Sequence, residues 1–406
     1  MSSIAIKTRT IYALLALGLA LPGAQAAAED TIVLGAAVSL TGKYATNGQH
    51  TKHGYDLALK NVNGAGGVKV GGKQYKLKII YYDDESTPAR GAQLAERLIA
   101  QDGVKFLLGP YSSGLTKAIA PVTEKYGIPM VEGPGASVSL FNKGYKYRFA
   151  TLSTTEYYLR AAIDLLAEKA KEAGRDPSTL TVAMAFENDP FSQDIRTGVM
   201  EQAGKLGMKI VVDDKLPPDL NDMAATLTKV RAVKPDLLAV SGHAKGASLA
   251  VRQTHEMRVR TPMIAITHCD SARVAETMPE AAEGFLCASQ WDRTLSYKGR
   301  WFGTAEEYAQ TFEKEYGYAP PYQAAESTAA VLVFVDAFER AGTLEPKAVR
   351  DAIAATEMQT FYGNIKFDET GKNIAKPMVL YQVQGGQYKV VAPTEWANSK
   401  LVYPLK

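Results

Sequence analysis

From Thr31 onwards, short apolar runs alternate with longer stretches whose apolar positions recur every three or four residues. The first pattern is that of buried strands, the second that of helices with one buried face. Residues 32–40 predict a strand, and Tyr55, Ala58, Leu59 and Val62 then predict a helix. Tyr75, Leu77, Ile79 and Tyr81 alternate with Lys76, Lys78 and Ile80 in strand fashion. Thr87-Pro88 starts a helix, with a capping side chain and proline in the first helical position. A strand over 104–109, a helix with Ile119, Val122 and Tyr126, and a strand over 128–131 complete this first series.

After Ala150 the alternation restarts. A helix over 159–171 precedes a strand over 180–186. A helix from Phe191, a strand over 209–212, a helix capped by Asn221, a strand over 236–241 and a helix over 247–257 follow. Strands over 263–267 and 284–289 end this second series. Such alternation with short connections is the signature of parallel sheets covered by helices on both faces. Two similar α/β lobes facing across a cleft are therefore expected. Tyr308, Phe312 and Tyr316 mark one face of a later helix, and 324–341 forms another, with core-like composition. A hairpin over 378–384 and 388–391 turns at Gly385-Gly386.

The stretch GAGGVKVGGKQ at 64–74 has nearly the spacing of a phosphate loop, with Gly67, four residues, then Gly72 and Lys73. A phosphate loop runs strand, glycines, helix, so that a helix N-terminus meets the anion. Here the order is helix, glycines, strand, and Gln74 stands where Ser or Thr must hold magnesium. The glycines are read as tight turns of a small hairpin. A nucleotide-dependent enzyme is thereby the weaker rival.

Lys7 and Arg9, an apolar run over 11–21 and the small-residue site 24–26 have the layout of an export signal, 1–26. Losing Lys7 and Arg9 lowers the formal charge from +3 to +1, too balanced for nucleic acid binding. The mature chain is expected to be exported, without a lipid anchor on cysteine. Cys269 and Cys287 are the only cysteines, and spacing alone does not say whether they pair. The remaining length exceeds what one core holds, so about two domains are expected.

Ligands of open α/β sheets sit beyond the carboxyl ends of strands, near helix N-termini. LLGPYSSGLT at 107–116 ends a strand and opens a helix, so Ser112 and Ser113 offer an anion cradle, or Ser113 is only a cap. EGPGASVSL at 132–140 follows the next strand and offers Gly135, Ala136 and Ser137. The second series offers Phe191, His243 and Thr267-His268-Cys269-Asp270 at strand ends. Three adjacent residues rarely converge on one ion, so no metal is expected at 268–270. His50 and His53 are read as surface residues. There is no G-x-S-x-G, no H-E-x-x-H and no redox spacing of cysteines, so no enzymatic site and no cofactor are expected.

AAVSLTGKYATNGQ, NVNGAGGVKVGGKQYKL, YYDDESTP, LLGPYSSGLT, PMVEGPGAS and GNIKFDETG occur in this order across nearly the whole mature chain. In these pieces the chain resembles the periplasmic leucine/isoleucine/valine-binding proteins, the ligand-capturing subunits of ABC importers. The resemblance implies two Rossmann-like lobes joined by three crossing strands, a type I periplasmic binding protein. The lobes would comprise 27–150 with 291–366, and 151–290 with 367–393, leaving a tail at 394–406. It implies a carboxylate held by Ser113, with Gly135 and Ser137 at the ligand's head group and Phe191 closing from the second lobe. Asn47 and His243 fall where tyrosines often line the pocket. The family's glutamate for a ligand ammonium falls near 267–270, where no glutamate stands; either Asp270 replaces it, or the ligand lacks an ammonium. Phe191, His243 and Trp291 would also suit an aromatic carboxylate or an amide. A small-molecule ligand, a membrane permease, a periplasmic location and a monomer follow from the resemblance, with a sensor subunit as the alternative use of the same clamp.

Overall fold

A computed structural model describes residues 1–2 and 30–405. Lys7, Arg9, the apolar run 11–21 and the 24–26 site of the expected leader lie outside the described residues. Among the described residues no helix is long and apolar enough to cross a membrane.

The first sheet is built from β1 (Thr31–Val38), β2 (Val68–Val70), β3 (Lys73–Asp83), β4 (Leu107–Leu108), β5 (Met130–Glu132) and β6 (Arg148–Ala150), in the order β2-β3-β1-β4-β5-β6. Only β2 and β3 pair antiparallel, as the hairpin expected from the glycine stretch, with Gly71 and Gly72 at φ +55° and +89° in its turn. Helices α1 (Ala45–Gly64), α2 (Pro88–Ala100) and α3 (Ser113–Tyr126) connect the strands. Successive strand residues point to opposite faces, so Leu107 and Leu108 enter different cores. Leu107 joins Leu94, Leu98 and Ile119 from α2 and α3. Leu108 joins the core containing Tyr55 of α1 and the long helix Tyr322–Ala341, where Phe106 meets the rings of Phe334 and Phe338 at 5.9 and 4.7 Å. Each buried side chain of that size contributes about 1.5–3 kcal/mol.

The second sheet contains β7 (Thr181–Glu187), β8 (Lys209–Leu216), β9 (Leu237–Ser241), β10 (Met263–Thr267) and β11 (Leu286–Ser289), parallel in the order β8-β7-β9-β10-β11. The hairpin Val379–Gln384 and Gln387–Ala392 extends it antiparallel beyond β11. Helices α4 (Arg160–Glu172), α5 (Pro190–Lys205), α6 (Ala224–Val233) and α7 (Ala244–Glu256) belong to this half. Asn221 does not cap α6: the helix follows Met223, and Asn221 instead takes a hydrogen bond from Lys245 Nζ. The Cys269–Cys287 disulfide is formed and ties the loop after β10 to β11.

The chain passes between the halves three times, near Ser153, Gln290 and Lys376, and these passages are stitched together. Ser153 N donates to Gln290 Oε1 at 3.0 Å, and Gln290 Nε2 returns to the Ser153 carbonyl at 2.8 Å. Lys376 Nζ donates to the Gln290 carbonyl at 2.5 Å, and Ser153 Oγ to the Lys376 carbonyl.

Candidate functional site

In each sheet the chain reverses its direction of travel between two central strands, β1 and β4 in the first, β7 and β9 in the second. Loops leaving such a pair diverge to opposite faces and open a crevice at their carboxyl ends. The residues there are Tyr44, Asn47 and Tyr111 to Ser113 on one side, and Asp189, Phe191 and His243 on the other. The two crevices face each other.

Their side chains meet. Tyr111 places its hydroxyl 2.5 Å from His243 Nδ1 and 2.9 Å from His268 Nε2. Tyr44 packs edge-on to His243 at 4.6 Å, and Phe191 lies 5.1 Å from both Tyr158 and His268. Tyr322, at the start of the long helix, reaches His268 with its hydroxyl at 3.4 Å and packs on Tyr158 at 6.5 Å. All seven rings are buried.

A directed chain of hydrogen bonds runs through this cage. Burial disfavours charge on His243, but the Asp189 carboxylate 3.0 Å from Nε2 overcomes it and raises the imidazole pKa. Burial and the neighbouring His243 instead hold His268 well below the usual value, so it is neutral. When protonated, His243 donates from both nitrogens, to Asp189 and to the Tyr111 oxygen, and Tyr111 donates onward to His268 Nε2. Glu187, Asp189 and His243 have donor atoms within 4.8 Å of one another. Both imidazole nitrogens of His243 are already engaged, so the group reads as an ion pair and not as a waiting metal site.

The anion side is built on α3. Ser112 is its N-cap residue but makes no side-chain capping bond, and Ser113 begins the helix. Ser113 Oγ accepts from Ser137 N at 3.1 Å, which leaves its own hydrogen to donate. The first amides of α3 add unspent donors and the positive end of a helix dipole. Gly135 is required by space. A side chain there would sit 1.8 Å from Glu132 Oε2, because the Glu132 carboxylate fills that position. Glu132 is fully buried and bonded to Arg148 Nη1 and Thr116 Oγ1, each at 2.9 Å. Burial raises its pKa to about 7 in spite of the guanidinium. Ala136 is buried, and its carbonyl accepts from Thr155 N at 3.0 Å.

Three sequence-predicted residues serve the contact between the halves. Ser137 Oγ bonds the Asp194 carboxylate and the Pro190 carbonyl of α5. Asn47 Nδ2 donates to Ser271 Oγ at 2.5 Å. Asp270 spends its carboxylate on Tyr322 N, Ser271 N and Ser289 Oγ, which leaves little of it for a ligand ammonium. Trp291 is not brought to the cage: its Nε1 donates to the Phe361 carbonyl and its ring packs on Tyr308 and Phe361. His50 is not a surface residue, and His53 is half-buried. His50 is buried between the Ser271 carbonyl and the Tyr318 hydroxyl, and His53 stacks on Tyr316 at 4.0 Å. Sequence reasoning misses Tyr44, Tyr111, Tyr158 and Tyr322 as cage members, although Tyr44 and Tyr111 lie inside the quoted motifs; His268 it names only as part of the strand-end group 267–270.

This two-halved arrangement matches a family model described as periplasmic binding protein over residues 31–387. The chain belongs to the periplasmic binding protein family. A curated relative is the leucine-, isoleucine-, valine-, threonine- and alanine-binding protein of Pseudomonas aeruginosa, 25% identical over 85% of this chain and 87% of the relative. Among solved structures, the branched-chain amino acid transporter substrate-binding protein of Streptococcus pneumoniae in complex with isoleucine matches with a TM-score of 0.78 and 21% identity, over 92% of this chain and all of that one. A solute-binding protein of an ABC transporter from R. palustris, in complex with benzoate, matches with a TM-score of 0.77 and 18% identity, over 91% and 100%. The fold of this binding protein is thus the type I arrangement of two α/β lobes, and its relatives are binding proteins, not enzymes.

Proposed function

We propose that the protein captures a small carboxylate-bearing molecule between its lobes and delivers it to the membrane permease of an ABC importer. The observation that carries this reading is Ser113. Its hydroxyl, positioned by Ser137 N at the start of α3, offers a donor beside the inter-lobe aromatic cage. The ligand carboxylate would be held by Ser113 and the first amides of α3, with its apolar body among Tyr44, Tyr158, Phe191 and Tyr322. The lobes, taken as 27–150 with 291–366 and 151–290 with 367–393, would turn about the stitched crossings at Ser153, Gln290 and Lys376. Contacts made only when both lobes touch the ligand select the closed form.

The ligand is a hydrophobic amino acid, an aromatic acid or a short amide. Seven buried rings in the cage, together with an Asp270 already engaged, favour the aromatic acid or a short amide. The family description and the expected leader support export to the periplasm, where the protein would act as a monomer. Calorimetric titration of the parent and of Ser113→Ala with leucine, benzoate and 4-hydroxybenzoate tests the assignment. A hydrogen bond to a charged group is worth about 1.5–3 kcal/mol, so the variant is expected to bind roughly ten- to a hundredfold more weakly. Equal binding by the two proteins contradicts it.

A further inference from the structure

Gln323 is fully buried, and neither its amide nitrogen nor its amide oxygen has a hydrogen-bond partner. A glutamine in that state destabilises the protein relative to an apolar side chain of the same shape, so its presence calls for a function. Its place in the fold indicates which. Gln323 lies in the first turn of the helix Tyr322–Ala341, directly after the cage residue Tyr322, whose own amide is held by Asp270. Residues three and four apart on a helix share a face, so Gln323 shares one with Glu326 and Ser327. That face abuts the loop carrying Gly135 and Ser137: a side chain at Gly133 would meet Glu326 Cγ and the Ser327 nitrogen, each at 2.9 Å. Gln323 is one turn nearer the cleft. It therefore stands where the cage wall meets the anion-side loop.

Resting on the reading of the cleft as a carboxylate-capturing site, we infer that Gln323 hydrogen-bonds the ligand and sets its specificity, and that the ligand carries an uncharged hydrogen-bonding group, a hydroxyl or an amide, besides its carboxylate. The neutrality follows from the neighbours. A carboxamide offers both a donor and an acceptor but no charge. Of the nearby acids, Asp189 is bonded to His243 and Asp270 to Tyr322 N. Glu326 is fully buried, and burial holds its carboxyl well above the usual carboxylate range, so it is a neutral acid whose Oε1 is itself unpartnered. Glu187, on the other side of the cleft, lies with Asp189 beside His243. Among these four acids an ammonium would find no charged carboxylate free beside Gln323.

The test compares the parent with Gln323→Met, close in size and without the amide, in two measurements. The first is the melting temperature of ligand-free protein; the second is calorimetric affinity for benzoate and for 4-hydroxybenzoate. Removing an unsatisfied buried amide should leave the ligand-free melting temperature unchanged or raise it. The parent should prefer 4-hydroxybenzoate, and the variant should lose that preference by roughly ten- to a hundredfold while keeping its benzoate affinity. A ligand-free melting temperature that falls by several degrees would mean that Gln323 is bonded within the protein, and would overturn the inference. So would an unchanged preference. Should the parent bind neither benzoate, 4-hydroxybenzoate nor leucine, the carboxylate reading of the cleft fails first, and is recognised by the parent alone.

Discussion

Gly135→Ala perturbs the loop between the anion site and the inter-lobe contact without touching either directly. The added Cβ would sit 1.8 Å from Glu132 Oε2 and 2.5 Å from Glu132 Cδ. Ordinary contact needs about 3.5 Å, so either the carboxylate retreats by more than an ångström or the loop lifts. If the carboxylate moves, its 2.9 Å bonds to Arg148 and Thr116 are lost together. Arg148 is itself only 1% exposed, so water cannot replace them. Breaking a buried pair of this kind costs about 3–5 kcal/mol. If the loop lifts, the Ser137 N to Ser113 Oγ bond goes instead, and ligand affinity falls with it. Urea unfolding measures the first outcome and calorimetry the second. A cycle with Glu132→Ala separates the steric term, because once that carboxylate is gone the alanine at 135 should add little. A Gly135→Ala protein within about 0.5 kcal/mol of the parent and equal in affinity would refute the reasoning. So would additive costs in the cycle.

Asp189→Asn should drop the His243 titration seen by NMR below its ordinary value near 6.5, since burial then acts without the carboxylate. In the parent, His243 has a raised pKa and Asp189 a lowered one, so the stability they contribute is full between roughly pH 4 and 6.5. It fades as pH rises through the His243 value or falls through the Asp189 value; an unmoved His243 titration would exclude the pairing. Lys376 is held at about 7 by burial, against an ordinary value near 10.4, so between these the unfolded chain binds a proton that the folded one does not. Stability therefore gains from this group as pH rises from 7.5 to 9, and Lys376→Met should remove that upward slope in urea unfolding. A slope that survives the substitution assigns it elsewhere.

The periodic elements were legible because burial of one face writes itself into local spacing: 263–267 was read as a strand to the residue, and α5 begins within one residue of Phe191. The pattern predicts one strand over 104–109, but only Leu107–Leu108 is regular strand: Phe106 and Gly109 still take part in the ladder, with Gly35 N donating to the Phe106 carbonyl at 2.9 Å and Gly109 N to the Val131 carbonyl at 3.0 Å, whereas Val104 is buried by side-chain packing. Ser113 and Ser137 were legible as polar residues at strand ends. Their mutual bond, and the grip of Ser137 on Asp194, were not, because those contacts span 24 and 57 residues of chain and exist only once both sheets have formed. His268 is legible as a polar residue at a strand end, but its role as acceptor from Tyr111 is not, because it depends on a partner 157 residues away. Trp291 misled because its composition suits a pocket, whereas the second crossing turns its ring toward Phe361.

Small-angle scattering of the protein with and without a carboxylate that it binds tests the two-lobe clamp most directly. The closed form brings Tyr111 to His243, Asn47 to Ser271 and Ser137 to Asp194. The ligand-free protein should therefore scatter as a more extended particle, and saturating ligand should shrink its radius of gyration to that of the structure described. An identical profile in both states, matching neither a change of shape nor a shift toward the closed form, would contradict capture by lobe closure.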